Sequence, residues 1–380
     1  MANAPLGQRT KKAINVPSRN QSNRLEVTHT CSAHSTSSVT PAPTRVLPTV
    51  AKPTTLPPQP DVNLRTLGLN HGYTYTDIVN GDAEGESILG FYTTRYTHSS
   101  EEVWRERLES GAVLLDGERI DQETKLKRGQ TLTYHREAWQ EPEAPRDFEV
   151  LYEDNQIIAV NKPGGLPVLP SGHHLENTLL SVVRERFGGD VPPSPLHRLG
   201  RGTSGIVLFA RDSKTLQELS NAFRNRSITK VYRALVCGVG LEPEILIEQP
   251  IGKIDYPPTG QLYAATPDGK PSVSECTMLW EKTEDDHTLL DVKIITGRPH
   301  QIRIHVAAIG HPLVGDPLYV SGGGPAPLVQ GERAPLPGDI GYHLHARLLE
   351  FTHPATGEQV KVEATPPKLL QTEDELENLN

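Results

Sequence analysis

The sequence predicts an α+β fold with a mixed, mainly antiparallel sheet. Short runs of β-branched and other apolar residues outnumber the segments with helical periodicity, and the two kinds do not alternate strictly as in a doubly wound α/β fold. Strands are expected at residues 157–160, 206–210, 231–237, 289–295 and 360–362. Helices are expected at residues 177–187, 214–224 and 300–309. The chain of 380 residues is long enough for more than one domain.

The N-terminal part differs in composition from the rest of the chain. Its first sixty residues carry seven basic side chains against one acid, Glu26, and are dominated by Ser, Thr, Pro and Asn. Such a segment buries too little apolar surface to offset its chain entropy. Residues 1–75 are therefore expected to form a disordered extension. The composition also fits a transit peptide, which would direct the protein to a chloroplast or mitochondrion; without one, a cytoplasmic or nuclear location is expected.

A small module is expected over residues 88–140. A helix at 101–109 is predicted by serines that can cap its start and by Gly111, which ends it. The Asp116-Gly117 pair then predicts a β-hairpin. This helix carries four glutamates beside two arginines.

Charge and cysteine content restrict the function classes. The chain has 38 basic and 47 acidic residues, and the first sixty residues contribute seven of the former and one of the latter. The acidic remainder argues against tight, sequence-independent phosphate binding but allows a local basic groove. An acidic tail in solvent is expected over residues 371–380. No apolar run is long enough for a membrane span, and three scattered cysteines favour a reducing compartment.

Five motifs follow one another between residues 145 and 370. They are NKPGGLPV at 161–168, LHRLGRGTSG at 196–205, KVYRA at 230–234, ITGRPHQIRIH with GHPLVGDPLY at 295–319, and HA with FTHP at 345–354. In their order they resemble the motifs of RluA-type RNA pseudouridine synthases, in the plant-type form that has HRLGRGTSG where other members have HRLD. The module in front resembles an S-four-type RNA-binding domain, and the four glutamates on its helix leave RNA binding and packing both open as its role. Residues 145–370 are accordingly identified as a pseudouridine synthase catalytic domain.

The resemblance implies the fold, the activity and the partners. The fold is the pseudouridine synthase fold, a long mixed sheet flanked by helices with a cleft across its middle. The activity is isomerisation of uridine to pseudouridine in rRNA or tRNA, without a metal or other cofactor. The partner is RNA, the protein is expected to be a monomer, and no membrane is involved. The alternative is a non-catalytic RNA-binding relative.

The resemblance also assigns roles to individual residues. The family's carboxylate belongs to the HRLD loop, and Gly200 stands at its position. Tyr232 is expected to stack on the flipped base, and Arg303 to pair with the carboxylate, with Arg298 as the alternative arginine. The residues expected to contact RNA are Lys162, His197, Arg198, Arg201, Thr203, Lys230, Arg298 and His300.

A substitute for the missing carboxylate is not evident from the sequence. Asp212 lies at the far end of the strand that follows the loop. Asp316 is interpreted as a structural member of its motif, and the position of Asp190 relative to the loop is not fixed. The loop also satisfies GxGxxG, but its glycines precede a strand, whereas a dinucleotide fingerprint opens a helix.

Overall fold

The computed structural model describes residues 12–14, 68–96, 98–120 and 123–377. These residues form two compact units, with the boundary between Glu141 and Pro142. The second unit also contains a short strand near the N-terminus, β1 (Lys12–Ile14). No helix in the described ranges is long and apolar enough to span a membrane.

The first unit combines two helices with four strands. Its elements are β2 (Tyr73–Ile78), α1 (Ile88–Arg95), α2 (Glu101–Glu109), β3 (Val113–Leu115), β4 (Glu118–Arg119) and β5 (Thr131–Arg136). The strands form an antiparallel sheet in the order β2-β5-β3-β4. The side chains of Ser87 and Ser100 cap the two helices by accepting backbone N–H groups. Trp104, 1% exposed, stacks on Tyr92 within the core of this unit.

This unit begins earlier than the sequence predicts. β2 starts at Tyr73, so the expected end of the disordered extension at residue 75 falls inside a strand. β1 is also a strand, and the rest of residues 1–67 lies outside the described residues. Helix α2 and the hairpin are confirmed; Asp116 and Gly117 adopt φ angles of 50° and 88°, which a tight hairpin turn of this kind requires.

The second unit contains fourteen further strands and four helices among its described residues. The strands up to the middle of the unit are β6 (Glu149–Glu153), β7 (Ile157–Lys162), β8 (Ser194–Pro195), β9 (Ser204–Ala210), β10 (Thr229–Cys237), β11 (Glu244–Ile247), β12 (Ile251–Tyr256) and β13 (Gly260–Ala265). The later strands are β14 (Ser274–Lys282), β15 (His287–Ile294), β16 (Tyr319–Val320), β17 (Gly324–Pro325), β18 (Leu344–Thr352) and β19 (Gln359–Glu363). The helices are α3 (Leu179–Phe187), α4 (Ser213–Arg224), α5 (Gln301–Ala308) and α6 (Glu373–Glu377).

One long sheet organises this unit, and it confirms the predicted α+β class. Its order is β1-β11-β14-β15-β10-β18-β9-β7-β6, with β19 paired to β18 and β8 paired to β9. All pairs are antiparallel except β1–β11 and β9–β18. At the centre, Ala346 of β18 pairs with Gly205 on one side and with Tyr232 on the other. A Cβ on Gly205 would lie 2.3 Å from the Ala346 carbonyl oxygen, so this close parallel pairing requires glycine.

Helices cover both faces of the sheet. Alternate residues of β7 point to opposite faces, so that Ile158 packs with α3 and Ile157 packs with Leu219 of α4. Helix α5 covers the neighbouring part of the sheet through Ile302. Tyr232 packs against both the α3 cluster and the α5 cluster, and it therefore lies where these two clusters meet.

The C-terminal residues are more ordered than an acidic tail in solvent. Helix α6 brings Glu375 to Arg233, which donates two hydrogen bonds to its carboxylate at 2.8 and 3.0 Å. The acidic segment is therefore not free in solvent throughout, since Arg233 holds Glu375, whereas Glu373, Asp374 and Glu377 are exposed.

Candidate active site

The Gly200 loop, residues 196–203, connects β8 to β9 and is exposed at its centre. The carbonyl of Gly200 accepts the backbone N–H of Thr203 at 3.1 Å, which closes a turn. The next carbonyl, that of Arg201, accepts the N–H of Gly165 at 2.8 Å. The loop is thus held against the turn that follows β7.

Lys162 fixes this connection from inside the protein. It is 0% exposed, and its Nζ donates to the carbonyl oxygens of Pro163 and Leu166 at 2.8 Å each and of Arg201 at 3.3 Å. Burial lowers the pKa of this amine to about 7. The prediction that Lys162 contacts RNA is wrong, because its amine is enclosed by backbone carbonyls. Its role is to hold the Gly200 loop in place.

His197 is also used by the fold. Its Nε2 accepts the backbone N–H of Leu208 at 3.2 Å, and its ring packs on Phe223 of α4. Burial and the nearby Lys230 lower the pKa of His197 to about 3, so the imidazole is neutral at physiological pH. A neutral ring committed to a backbone N–H offers little to an RNA phosphate, which corrects the expected role of His197.

The side of the Gly200 loop that faces the sheet is occupied by Tyr342. A Cβ on Gly200 would lie 2.9 Å from the Tyr342 hydroxyl, and a Cβ on Gly202 would lie 2.9 Å from its ring carbon Cζ. The same hydroxyl is 3.3 Å from the buried Thr203 hydroxyl. Glycine at 200 and 202 therefore makes room for this tyrosine, and Thr203 bonds to it.

Arg303 lies behind the Tyr342 ring. Its guanidinium carbon is 4.2 Å from the centre of that ring and 4.9 Å from that of Tyr319. Two of its nitrogens donate to the two carboxylate oxygens of Asp316 at 2.7 Å each, and a third donates to the Pro337 carbonyl at 3.2 Å. Asp316, whose side chain is 0% exposed, raises the pKa of Arg303 against the opposing effect of burial.

Tyr232 lies on β10, which is separated by β18 from β9, the strand that follows the loop. Its ring packs with the cluster that contains Leu199 and with the cluster that contains Tyr342. Burial raises its pKa to about 12. Lys230, two residues earlier, is 8% exposed, and its amine lies 3.9 Å from the Cβ position of Gly297 in the fourth motif.

Several known proteins are similar to this chain over most of its length. A model of the RNA pseudouridylate synthase family matches residues 156–308. RNA pseudouridine synthase 5 of Arabidopsis thaliana is 40% identical over 363 residues, which cover 83% of this chain and 98% of that protein. An uncharacterised RNA pseudouridine synthase of Synechocystis is 43% identical over 287 residues, 75% of this chain and 96% of that protein. Ribosomal large subunit pseudouridine synthase D of Vibrio cholerae is 30% identical over 310 residues, 78% of this chain and 93% of that protein.

The chain belongs to the RluA-type family of RNA pseudouridine synthases. The names of its relatives support the isomerisation of uridine to pseudouridine in RNA as the function of this pseudouridine synthase. Its site nevertheless lacks a carboxylate on the Gly200 loop. Asp316 is committed to Arg303, and its interpretation as a structural member of the motif agrees with these hydrogen bonds.

Two further aspartates of the synthase stand apart from the loop. Asp212 accepts the backbone N–H of Thr215 and caps α4, beyond the far end of β9. Asp190 is exposed and precedes Ser194, which pairs with Ala210 at that same far end. Neither aspartate provides a carboxylate near Gly200.

The other predicted RNA-contact residues differ in exposure. Arg198 is exposed, and Arg201 is half-buried with its Nε on the Gly338 carbonyl. Arg298 is half-buried and donates to the Pro271 carbonyl at 3.4 Å. His300, with φ of 55° at the start of α5, bonds through Nδ1 to the Tyr319 hydroxyl, and burial lowers its pKa to about 4.

Sequence reasoning missed Tyr342. The residue lies 142 positions after Gly200, outside the five motifs, and its ring is placed by the approach of the chain to β18. A usable signal existed in the two glycines that flank Arg201, because paired glycines in a loop often mark the close approach of another group.

Proposed function

We propose that this protein is a catalytically active pseudouridine synthase that isomerises uridine in rRNA or tRNA at the Gly200 loop. The observation that carries the proposal is the complete Arg303 site. An arginine that had lost its carboxylate would leave a buried charge unpaired at a cost of several kcal/mol. Here Asp316 and two aromatic rings enclose the guanidinium, so the site is built as a unit rather than partly lost.

The arrangement suits a flipped uridine. Tyr232 supplies an aromatic face at the meeting point of two clusters, and base stacking on such a face contributes about 1–3 kcal/mol. In this proposal, exposed Arg198 and half-buried Arg201 of the loop neutralise phosphates beside the flipped nucleotide. These residues account for binding and orientation without any carboxylate at position 200.

Pseudouridine mapping on defined RNA tests the proposal. The full-length protein is incubated with unmodified transcripts of tRNAs and large-subunit rRNA, and pseudouridine is located by carbodiimide-dependent stops of reverse transcription. We expect product at defined uridines. We expect Tyr232→Ala to lower the rate by about 100-fold through loss of the stacking face. Tyr152→Phe, which loses only a hydroxyl bonded to Asp154, is the control.

The alternative function has a different outcome. A protein that binds these transcripts and forms no pseudouridine in any of them is a non-catalytic RNA-binding relative, and the proposal of an active enzyme is then wrong.

We further propose that the first unit contacts RNA through the edge of its sheet rather than through α2. Tyr73 and Tyr75 project from the same face of β2, 40% and 38% exposed, with ring centres 4.7 Å apart. Tyr75 stacks on Tyr134, over which Arg107 lies at 5.0 Å, and Arg136 pairs with Tyr73 in the sheet. Exposed aromatic rings beside arginines suit unpaired bases and their phosphates.

A single alanine substitution tests this surface. Tyr75→Ala in the full-length protein should weaken binding of single-stranded RNA by about tenfold, the loss of roughly one stacked base. Ile78→Ala is the matched control, since Ile78 is 70% exposed on the same strand and points to the opposite face. Equal affinities of the two variants would argue for a packing role of this unit.

A further inference from the structure

The hydroxyl of Tyr342 occupies the space into which a side chain at position 200 would extend. The Cβ position of Gly200 lies 2.9 Å from this hydroxyl oxygen and 3.5 Å from the Thr203 hydroxyl. Gly200 itself is exposed, whereas Tyr342 is 5% exposed. Because Gly200 has no side chain, the buried hydroxyl of Tyr342 lies within one methyl group's distance of the loop surface.

The Tyr342 ring is fixed from three directions. Arg303 lies 4.2 Å from its centre and is itself locked by Asp316. The backbone at Gly202 approaches the ring edge closely, since a Cβ there would lie 2.9 to 3.1 Å from Cζ, Cε1 and the hydroxyl oxygen of Tyr342. Thr203 bonds to the hydroxyl. A tyrosine held in this way presents its oxygen at a defined point, which a proton-transfer group requires.

We propose that Tyr342 is a catalytic residue of the isomerisation, with its hydroxyl as the proton carrier beside Gly200. This inference rests on the proposed function. It explains how the site operates without a carboxylate on the loop, and it gives the glycines at 200 and 202 a purpose, namely access to the hydroxyl.

A single group that donates one proton and later accepts another is sufficient for the isomerisation. As the bond between uracil N1 and ribose C1′ breaks, its electron pair stays with uracil, and Tyr342 gives its proton to N1. The base then turns, and the C5–C6 double bond supplies the electron pair for the new bond from C5 to C1′. The C5 proton returns to the tyrosine oxygen, so the phenol is restored and no other reactant is consumed.

The neighbours of Tyr342 suit this task better than those of Tyr232. The charge that appears on the Tyr342 oxygen between the two proton transfers is stabilised by the guanidinium under its ring. Burial raises the pKa of Tyr232 to about 12, which disfavours its ionised form. Tyr342 therefore moves the proton, and Tyr232 stacks on the base.

Tyr342→Phe tests the inference, because it keeps the ring on Arg303 and removes only the oxygen. On an RNA that the wild type modifies, we expect the single-turnover rate to fall by about 100-fold. RNA affinity and melting temperature should stay close to wild type. Tyr152→Phe again controls for the loss of one tyrosine hydroxyl in the same unit.

Gly200→Ala provides a second measurement if Tyr342→Phe does not fold. Its methyl group presses on the hydroxyl, so we expect about a tenfold slower reaction with unchanged RNA affinity. A folded Tyr342→Phe protein with a rate within about threefold of wild type overturns the inference and leaves the proposed function intact. Full activity of Gly200→Ala beside an unfolded Tyr342→Phe also overturns it. Inactive wild type, in contrast, overturns the proposed function and this inference together.

Discussion

Two buried arginines of the second unit, Arg303 and Arg233, are equally enclosed and differently used. Each side chain is 3% exposed. Arg233 donates to Asp291, to Glu375 and to the Leu370 carbonyl, so its hydrogen-bond partners within the described ranges are oxygens. It joins the outer face of β10 to β15 and to the C-terminal helix.

Arg303 has one carboxylate partner, and its flat guanidinium packs against aromatic rings where Arg233 has further oxygens. The rings of Tyr342 and Tyr319 lie against the guanidinium, and Asp316 fixes its edge. Burial and an ion pair alone thus do not mark an active site. The difference lies in the groups that each guanidinium contacts. In the part of the chain that the structure describes, Arg233 contacts oxygens that hold the chain together, whereas Arg303 also contacts an aromatic ring whose hydroxyl lies at the Gly200 loop.

The largest effect is expected from Asp316→Asn. The amide cannot balance the buried guanidinium, and breaking a buried pair in this way costs about 3–5 kcal/mol of unfolding free energy. Asp291→Asn is the matched variant and should cost less, because Asp291 is 20% exposed and Arg233 retains Glu375. Urea unfolding of both proteins measures the difference. Equal losses would mean that the two arginines depend on their carboxylates to the same degree.

The elements with clear local signals agree with the sequence-based predictions. Helices α3 and α4 begin within two residues of their predicted starts, and the side chains of Thr178 and Asp212 cap them. Helix α1 was missed because Gly90 and two threonines weaken its helical signal, although its apolar residues are buried in the first unit. Packing within that unit, rather than local propensity, accounts for this helix.

The site was less accessible to sequence reasoning. Motif positions identified the loop, Tyr232 and Arg303, but not which side chains are buried. Lys162 and His197 look like RNA ligands in the sequence, and the fold uses both to bind its own backbone. Such choices depend on contacts between distant segments, and a single sequence does not record them.

The next prediction concerns the glycines that face Tyr342. Gly202→Ala should destabilise the protein by about 1–3 kcal/mol, since its methyl group meets the tyrosine ring, which Arg303 prevents from retreating. Gly200→Ala should cost less, because only the hydroxyl is in its way. Combining each change with Tyr342→Phe distinguishes the two contacts. Tyr342→Phe should restore the stability that Gly200→Ala loses, because it removes the hydroxyl, but it should not restore the stability that Gly202→Ala loses, because the ring remains. Recovery in both cases would mean that the ring moves freely.

The same geometry means that Gly200→Asp does not create an arginine–carboxylate pair at the loop. The new carboxylate would not gain Arg303, whose nitrogens are bound to Asp316 and whose face is covered by Tyr342. It would instead press on the hydroxyl of Tyr342.

A smaller effect is expected at the other arginine. Glu375→Gln should cost about 1–2 kcal/mol, because Glu375 is 34% exposed and Arg233 keeps Asp291 and the Leu370 carbonyl. Pseudouridine formation should not change, since the Arg233 cluster has a structural role. Thermal unfolding and the mapping assay check the two parts. A loss of activity without loss of stability would place Arg233 in the active site after all.

The smallest expected effect is on the pH dependence of the free energy of unfolding. It comes from His197, which stays neutral in the folded protein, whereas the two arginines stay charged. Burial holds the folded-state pKa of His197 at about 3, against an ordinary value of 6.5. Between these values the unfolded chain binds the extra proton, so stability rises with pH and is lost on acidification below about pH 6.5. From pH 8 to pH 6 this single group should remove about 0.8 kcal/mol of unfolding free energy.

His197→Gln keeps an oxygen that can accept the Leu208 N–H, and it should show a shallower pH dependence by that amount with unchanged RNA affinity. Phe223→Leu alters the packing beside the imidazole and keeps the histidine, so its pH dependence should parallel that of wild type. Weaker RNA binding by His197→Gln at constant stability would restore His197 to the RNA-binding residues.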